Sequence, residues 1–597
     1  SSSSRRAFSS RMSGRVRMAA TMYTLNIDGS TTVAGSVYGG GEESNVSGNT
    51  NVNICAKDEN GAYIALPGNP VISGNVYGGG KGVILDAGEG SFECAKAMVG
   101  IDGAGADAVN YPNYSDGNTH VRIGNGTVGT LDGNNKLVAG TGNVYGGGQV
   151  GRVEQNTEVT IGFGTSSPVI EGSVFGAGAG VKTHGYSALV RGNSTVTVQG
   201  NAWVKKSVYG GGEIASVGRY KVDETTGLPT IPNGGGICYV NIQGSAEIGP
   251  DNMQMTAEGG PDDAGHVFGA GKGVLPYEGY EDDEEPQHMD GHKDDNDKWV
   301  DDPKSYTAYG SLGGNEDANY SKFLHTLALS SETHVTIDGN AFIKGSVYGG
   351  GENGFVQANT YVTIAGGQIG CGKNTTERYS DDVWKPGYVP TTDLECASWA
   401  FGDGKPYDKY AGAAGYDAKE GALVATDGHT FYGNVFAGGS GYYPYRPGKW
   451  FQSAGRVNGN TNLTITGGHI LTNVYGGNEM TDVVGSCTIN MSGGTVGVPR
   501  TYEQMRAHPV TCYIFGAGKG DPRVFFNTWT NVGSTQVNIS GSARIYGSTF
   551  GGGEDGHVLG DAETNINTGS DVPVGTGESA STLRYPYIGT TGTSAVD

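Results

Sequence analysis

One short phrase recurs along this chain of 597 residues and constrains its fold more than any other feature. The phrase reads Val-Tyr-Gly-Gly-Gly or a close variant, and its copies begin at Val37, Val76, Val144, Val174, Val208, Val267, Val347, Val435, Val474, Ile514 and Thr549. A second phrase, apolar–polar–apolar with mostly Asn or Thr in the middle, begins at Leu25, Val52, Val121, Val159, Val196, Val240, Val335, Val362, Leu463, Ile489, Val537 and, in a weaker copy, Thr564. Two phrases that alternate in phase indicate a structural repeat.

The spacing of the second phrase separates a minimal unit from insertions. Successive copies begin 27, 69, 38, 37, 44, 95, 27, 101, 26, 48 and 27 residues apart. The minimum of 26 or 27 occurs four times, and each longer interval equals this minimum plus an insertion. A fixed minimal period with insertions is typical of a solenoid, in which each repeat packs only on its neighbours.

The shortest unit, from Val335 to Val362, predicts the local structure of one repeat. It contains three predicted strands, His334–Ile337, Ser346–Tyr348 and Gly354–Val356, and three predicted turns, Gly339-Asn340, Gly349–Gly351 and Asn353-Gly354. Alternation places Val335 and Ile337 inside and Thr336 outside. Glycine suits the turns because it adopts positive φ at little cost. The sequence therefore predicts an all-β fold, a right-handed parallel β-helix of about eleven rungs with long insertions in alternate rungs.

The composition agrees with strands joined by tight corners and excludes several other classes. Glycine supplies 108 of the 597 residues, about 18% against an average near 7%. The absence of a Gly-X-Y period excludes collagen. The net charge of −23 argues against nucleic acid or an anionic membrane as a partner. No apolar run approaches 18 residues, so we expect no membrane insertion.

Stacking in register brings equivalent residues of successive rungs to within about 4.8 Å of each other. Outward asparagines are therefore predicted to form partial amide ladders, at Asn26, Asn53, Asn241, Asn490 and Asn538. The Tyr or Phe of the first phrase is predicted to form an aromatic column. Since the two residue types interchange, we expect ring stacking to matter and the hydroxyl to be optional.

The two phrases, in forms such as Val-Tyr-Gly-Gly-Gly from Val347 and Val-Thr-Ile-Asp-Gly from Val335, resemble the glycine-rich repeats of secreted bacterial surface proteins predicted to form pectin-lyase-like β-helices. The resemblance covers roughly residues 23–569. It implies a secreted protein, extracellular or on the cell surface, that serves as a stalk or adhesin-like scaffold. It implies no defined reaction.

The chain divides into a basic N-terminal arm (1–22), the β-helix (23–569) and a C-terminal extension (570–597). Insertions are predicted at about 82–118, 245–265, 274–330, 371–430 and 499–510. The arm carries Arg5, Arg6, Arg11, Arg15 and Arg17, which we expect to dock on the acidic surface of a neighbouring copy. Open β-helix ends expose unpaired strand edges, which favours end-to-end assembly into a homopolymer. The alternative is a monomeric rod whose ends are covered by residues 21–23 and the last thirty residues.

An acidic insertion at 278–302 carries twelve carboxylates against two lysines. Carboxylate oxygens are the ligands that calcium prefers, so this loop is a candidate calcium site, with Asp282, Asp283, Asp294, Asp295 and Asp297 as ligands. The alternative is a solvated loop, because no EF-hand spacing is present.

A second insertion, residues 441–451, is rich in aromatic side chains. Tyr442, Tyr443, Tyr445 and Trp450 are candidates for an aromatic platform on which sugar rings stack. The alternative is that these rings cover the side of the solenoid and bury themselves.

The search for catalytic chemistry points away from an enzyme. β-Helix hydrolases and lyases need carboxylates on adjacent rungs, yet Asp28 and Asp338 are the only acids in the column that follows the second phrase's last apolar residue, and they lie many rungs apart. Nucleophile elbows, Walker loops and dinucleotide fingerprints are absent.

The seven cysteines, an odd number, cannot all pair within one chain. Cys371 and Cys396 share one insertion and are the best disulfide candidates, whereas Cys238, Cys487 and Cys512 are predicted to be small buried residues.

These observations predict a non-catalytic extracellular structural protein, a filament subunit or adhesive stalk, with no cofactor except possible calcium. The alternatives are a monomeric glycan-binding adhesin domain and a polysaccharide lyase or hydrolase.

Overall fold

A computed structural model describes residues 22–84, 97–100, 116–182, 184–220, 223, 225, 229–230, 234–251, 264–274, 291–293, 299–301, 325–370, 433–441, 454–497, 512–520 and 530–567, of which 291–293 and 299–301 are described by their backbone alone. Throughout these residues the regular elements are strands. Three long parallel sheets run the length of the chain, and successive turns of the polypeptide stack as the rungs of a right-handed parallel β-helix.

The first sheet has thirteen strands. They are Tyr23–Ile27, Thr50–Ile54, Thr119–Ile123, Thr157–Ile161, Ser194–Val198, Ile237–Ile242, Glu332–Ile337, Thr360–Ile364, Thr461–Ile465, Val483–Met491, Asn531–Ser540, His557–Val558 and Ala562–Asn567. The last two both pair with Asn531–Ser540. This sheet contains every copy of the apolar–polar–apolar phrase.

The second and third sheets have eleven short strands each. The second comprises Thr32–Val33, Val71–Ile72, Thr127–Val128, Val169–Ile170, Trp203–Val204, Glu247–Ile248, Phe342–Ile343, Gln368–Ile369, His469–Ile470, Thr495–Val496 and Arg544–Ile545. The third comprises Val37–Tyr38, Val76–Tyr77, Val144–Tyr145, Val174–Phe175, Val208–Tyr209, Val267–Phe268, Val347–Tyr348, Val435–Phe436, Val474–Tyr475, Ile514–Phe515 and Thr549–Phe550. We number the eleven rungs by the strands of the third sheet.

The main core lies between the three sheets and consists almost entirely of stacked Val and Ile side chains. In the first sheet, Val335 and Ile337 are buried while Thr336 between them is partly exposed, as the alternation predicts. The prediction of about eleven rungs is confirmed by the strand order of the sheets.

The second sheet is the element that sequence reasoning missed. In the shortest unit the predicted strands correspond to Glu332–Ile337, Val347–Tyr348 and Phe355–Val356, but Phe342–Ile343 forms a fourth strand. Each strand of this sheet is two residues long, which is too short for alternation to be visible in the sequence.

A further column of valines lies on the chain segment that connects each strand of the third sheet to the first sheet of the next rung. It pairs through isolated parallel bridges, as between Val153 and Val190, and through the short strands Leu329–Ser330 and Phe355–Val356. Together with small residues such as Ala177 and Cys238 it forms a second, smaller core.

At the glycines that directly follow the aromatic residues, the backbone of the next rung lies too close for a Cβ, and the positive φ that the sequence predicted for Gly349–Gly351 does not occur. A Cβ added to Gly210 would lie 2.1 Å from the carbonyl oxygen of Gly269 in the next rung. The same contact repeats at the other described copies of this glycine that have a rung above them, and Ala437 replaces the glycine once. Positive φ does occur at the predicted turn residue Gly339, where φ is 65°.

Side-chain hydrogen bonds tie the first sheet to these glycines. In most rungs, a buried Thr or Ser lies two residues before the apolar–polar–apolar phrase. It donates to the carbonyl of the first glycine in the same rung, as from Thr333 Oγ1 to Gly349 O at 2.5 Å. The same bond is made by Thr50, Thr119, Thr157, Ser194, Thr461 and Thr535. Cys238 and Cys487 occupy this column in two rungs, which explains why both are buried and free.

The amide ladders form where two asparagines are adjacent. Asn53 Nδ2 donates to Asn26 Oδ1 at 2.9 Å, and Asn538 Nδ2 donates to Asn490 Oδ1 at 2.9 Å. Asn241 lies between Thr197 and Thr336, so the predicted ladder is interrupted there.

Three rung elements lie inside ranges that the sequence assigned to insertions. Val99 is part of the valine column, within 82–118, and strand Glu247–Ile248 belongs to the second sheet, within 245–265. Strand Leu329–Ser330 continues the valine column, within 274–330. The other residues of the insertions are largely outside the described part of the chain.

Candidate functional site

The aromatic column is a continuous stack along the solenoid. Eleven rings, from Tyr38 to Phe550, stack face to face with centroids 4.6 to 5.3 Å apart. Apart from the first and last members, these rings are buried. Both residues of each Val-Tyr phrase are therefore enclosed, the valine in the main core and the ring on the other side of the third sheet.

Five of the six tyrosine hydroxyls in the column donate to acceptors two rungs further along the chain. Tyr348 donates to Glu479 at 2.8 Å, and Tyr38 donates to Gln149 at 2.6 Å. The same contact joins Tyr145 to Glu213, Tyr209 to Glu352 and Tyr475 to Glu554. The hydroxyl is thus a hydrogen-bond donor to a carboxylate in four rungs, which corrects the expectation that it is optional.

The acceptors belong to one column, the residue that follows each glycine triplet, which we call the charge column. Its members are Glu42, Lys81, Gln149, Ala179, Glu213, Lys272, Glu352, Ser440, Glu479, Lys519 and Glu554. From the third rung to the tenth, Tyr and Phe alternate in the aromatic column. Tyrosine occurs where the charge column has Glu or Gln two rungs further along, and phenylalanine where it has Lys or Ser; Tyr77, with Ala179 two rungs further along, is the exception.

This superperiod of two rungs is visible in the sequence as Val-Tyr-Gly-Gly-Gly-Glu alternating with Val-Phe-Gly-Ala-Gly-Lys. Lysines of the charge column lie beside glutamates of the next or preceding rung, at 3.4 Å between Lys519 and Glu479. Lys519 and Glu479 are both buried, and Ser440 Oγ donates to the same carboxylate at 3.2 Å. The type of residue that follows each glycine triplet is the sequence signal that indicates this network.

The buried hydroxyls stay protonated over the ordinary pH range. Burial, followed by the neighbouring carboxylate of Glu479, raises the pKa of Tyr348 well above its usual value. Burial and Glu554 do the same to the pKa of Tyr475. A neutral hydroxyl is the form that donates to a carboxylate, so these hydrogen bonds connect rungs that are two apart and do not supply a reactive phenolate.

The two ends of the solenoid are the parts of the fold that lack a neighbouring rung among the described residues. Leu25 is 38% exposed although its register partner Val52 is fully buried. At the other end Phe550 is 44% exposed, whereas Phe515 before it in the stack is buried. Of the nine exposed large hydrophobic residues in the described chain, five lie at these ends: Met22, Tyr23, Leu25, Phe550 and Leu559.

The sequence-predicted site residues fall outside the described part of the chain. This holds for Tyr442, Tyr443, Tyr445 and Trp450 of the aromatic insertion, for Asp282, Asp283, Asp294, Asp295 and Asp297 of the acidic insertion, and for Arg5, Arg6, Arg11, Arg15 and Arg17 of the arm. Within the acidic insertion the backbone forms a short antiparallel pair, Gly291–Lys293 with Trp299–Asp301. Cys371 and Cys396 also lie outside the described residues.

The column of residues that follows the last apolar residue of the second phrase contains two acids, and they lie far apart. Asp28 and Asp338 follow strands of the first and seventh rungs, about 29 Å apart at about 4.8 Å per rung. Among the described residues, no three His, Cys, Asp or Glu side chains are grouped to hold a metal ion. The part of the chain that the structure covers contains no helix with the length and apolar character of a membrane span.

Comparison with known proteins yields no relative: no family model, no curated protein and no solved structure matches this chain.

Proposed function

We propose that this protein is a non-catalytic structural subunit, secreted or displayed on a bacterial cell surface, that assembles end to end into a filament or adhesive stalk. The observation that carries the proposal is the open core at each end of the solenoid. Leu25 and Phe550 belong to columns that are buried away from the two ends, and they are exposed because nothing in the described chain stacks on them. A second copy supplies the missing rung.

The register of the two end rungs supports a copy of the same chain as the partner. Strand Ala562–Asn567 has Asn565 in the amide column, where its Nδ2 donates to Asn538 at 3.1 Å. Strand Tyr23–Ile27 has Asn26 in the same column. Stacking strand Tyr23–Ile27 of one copy on strand Ala562–Asn567 of another continues the amide ladder from Asn565 to Asn26 and places Tyr38 two rungs beyond Phe550.

The non-catalytic part of the proposal rests on the separation of Asp28 and Asp338, because acid–base hydrolysis needs two carboxylates near one bond. The sequence resemblance to glycine-rich surface repeats supports the extracellular location. Docking by the basic arm, calcium binding by the acidic insertion and glycan binding by the aromatic insertion stay predictions.

Negative-stain electron microscopy and sedimentation of the purified protein test end-to-end assembly. We expect filaments whose length grows with concentration. Leu25→Lys and Leu559→Lys each place a charge at one end and should prevent polymerisation, while Val138→Lys, on an exposed residue away from both ends, should not.

Mixing the two end variants distinguishes blocked ends from misfolding. Leu25→Lys retains an intact C-terminal end and Leu559→Lys an intact N-terminal end, so the mixture should form dimers and nothing longer. Discrete single rods of the unaltered protein at every concentration would overturn the proposal. Removal of residues 1–20 separately tests the arm, since loss of filaments is expected only if the arm links the copies.

A further inference from the structure

A cleft of about 530 Å³ opens on the side of the solenoid, between the second and fourth rungs. One wall is an antiparallel hairpin, Ala56–Glu59 with Ala62–Ala65, which extends from the second rung. The other wall is the turn at 163–167, which follows strand Thr157–Ile161 of the fourth rung. Asn125, from the rung between them, lies at the base. This volume is within the range of small-ligand sites.

The lining combines two aromatic rings with uncharged polar groups. The rings of Tyr63 and Phe163 lie 6.3 Å apart with an angle of 34° between their planes. Asn125, Thr165, Ser166 and Ser167 supply an amide and three hydroxyls. None of the eleven lining residues, all within the described chain, is charged, so the site favours a neutral ligand that has both an apolar face and hydroxyl groups.

Both walls are held in place before any ligand binds. The guanidinium carbon of Arg122 lies 3.9 Å from the centre of the Tyr63 ring, and Arg122 itself donates to Asn51 Oδ1 at 3.0 Å. Asn125 Nδ2 donates to Leu66 O at 2.8 Å, which fixes the end of the hairpin. In the opposite wall, Ser166 Oγ accepts a hydrogen bond from Phe163 N at 2.7 Å. A preorganised site loses less entropy on binding.

We propose that this cleft binds a neutral saccharide. A pyranose ring has a face of C–H groups, whose slightly positive hydrogens suit the negative face of an aromatic ring, and a rim of hydroxyls that pair with amides and hydroxyls. Arg122 covers one face of Tyr63, so the sugar stacks on the other face or on Phe163. The site is independent of end-to-end assembly and of the aromatic insertion at 441–451.

Screening of an array of neutral oligosaccharides, followed by isothermal titration with the strongest binder, tests the proposal on the whole chain. We expect binding that Phe163→Ala weakens by at least about tenfold, equivalent to about 1.4 kcal/mol. Tyr63→Ala should have the same effect, and Tyr63→Trp should preserve binding while reporting it by a change in fluorescence.

Tyr239→Ala is the matched control, because Tyr239 is a partly exposed ring on the outer face of the first sheet, outside the cleft. It should bind as the unaltered protein does. A thermal melt of each variant verifies that it folds. Absence of any neutral saccharide ligand, or binding that persists in the folded Phe163→Ala and Tyr63→Ala variants, would overturn the inference.

Discussion

At the scale of single residues, the hydroxyl of a tyrosine decides how one rung is joined to the second rung beyond it. Tyr348 and Phe436 occupy the same column and stack equally well, with centroids 4.8 Å apart. The hydroxyl of Tyr348 donates to Glu479, which lies two rungs further along. Phe436 has no hydroxyl, and the residue two rungs beyond it is Lys519. Ring stacking and carboxylate pairing are therefore separate contributions to the same column.

Tyr348→Phe should destabilise the protein by about 1 to 3 kcal/mol, because the buried Glu479 carboxylate loses a donor. Urea unfolding measures the change. Tyr77→Phe is the control, since Ala179 stands two rungs after Tyr77 and offers no carboxylate. Equal destabilisation by the two substitutions would contradict a role for the Glu479 contact.

Gly210→Ala tests the close approach of successive rungs. The added Cβ would lie 2.1 Å from Gly269 O and 2.9 Å from a methyl carbon of Val240, so the rungs would have to separate. We expect a loss of about 1 to 3 kcal/mol or more in unfolding free energy. Gly133→Ala, where the new Cβ has no heavy atom within 4 Å, should leave stability almost unchanged. A similar loss in both variants would contradict a role for the close contact, because Gly→Ala by itself lowers the entropy of the unfolded chain and favours folding.

At the scale of the elements, short strands are stable here because each one is part of a ladder. A two-residue strand such as Phe342–Ile343 has little structure of its own, but its neighbours Glu247–Ile248 and Gln368–Ile369 pair with it on both sides. Insertions leave the rungs without breaking these ladders, as between Gly370 and Gly433, where Gly433 N donates to Gly345 O at 3.0 Å.

His325, which lies beside the strand pair Leu329–Ser330 and Phe355–Val356, should make the free energy of unfolding depend on pH. His325 stacks on Phe355 with centroids 4.6 Å apart, and its burial, with a smaller contribution from Arg456, lowers its pKa to about 4. The unfolded chain binds this proton near pH 6.5, so stability should fall as the pH drops from about 6.5 to 4, by up to about 3 kcal/mol.

Urea unfolding at several pH values measures this dependence. His325→Gln lacks the titrating group and should show a shallower loss between pH 6.5 and 4. Identical slopes in the two proteins would contradict the assignment to His325.

At the scale of the whole molecule, the charge column has a consequence for the proposed filament. Stacking strand Tyr23–Ile27 of one copy on strand Ala562–Asn567 of another places Glu42 two rungs beyond Glu554, so two like charges lie about 10 Å apart at about 4.8 Å per rung. Within the chain, by contrast, Glu42 lies 2.9 Å from Lys81. Like charges at this separation disfavour association by roughly 0.4 kcal/mol in a water-like dielectric.

Glu42→Gln should therefore lower the concentration at which filaments form, by about twofold. Sedimentation of a dilution series measures it. Glu59→Gln, on the exposed hairpin, removes the same charge away from the junction and should have no comparable effect. An unchanged threshold in Glu42→Gln would argue against this register of stacking.

The sequence by itself determined the architecture of this protein, because the forces that define a rung are local and repeat with the chain. The alternation around Val335 and the glycines after Tyr348 can be recognised in the sequence alone. These patterns predict strands and turns, and their repetition predicts the number of rungs. The tertiary structure alone decided what connects distant residues. Tyr348 and Glu479 are 131 residues apart, and Tyr63 and Phe163 are 100 apart, separated by insertions of unequal length. Because the rungs stack in register, residues that the insertions separate in the sequence become neighbours in space. These contacts form the hydrogen-bond network and the cleft.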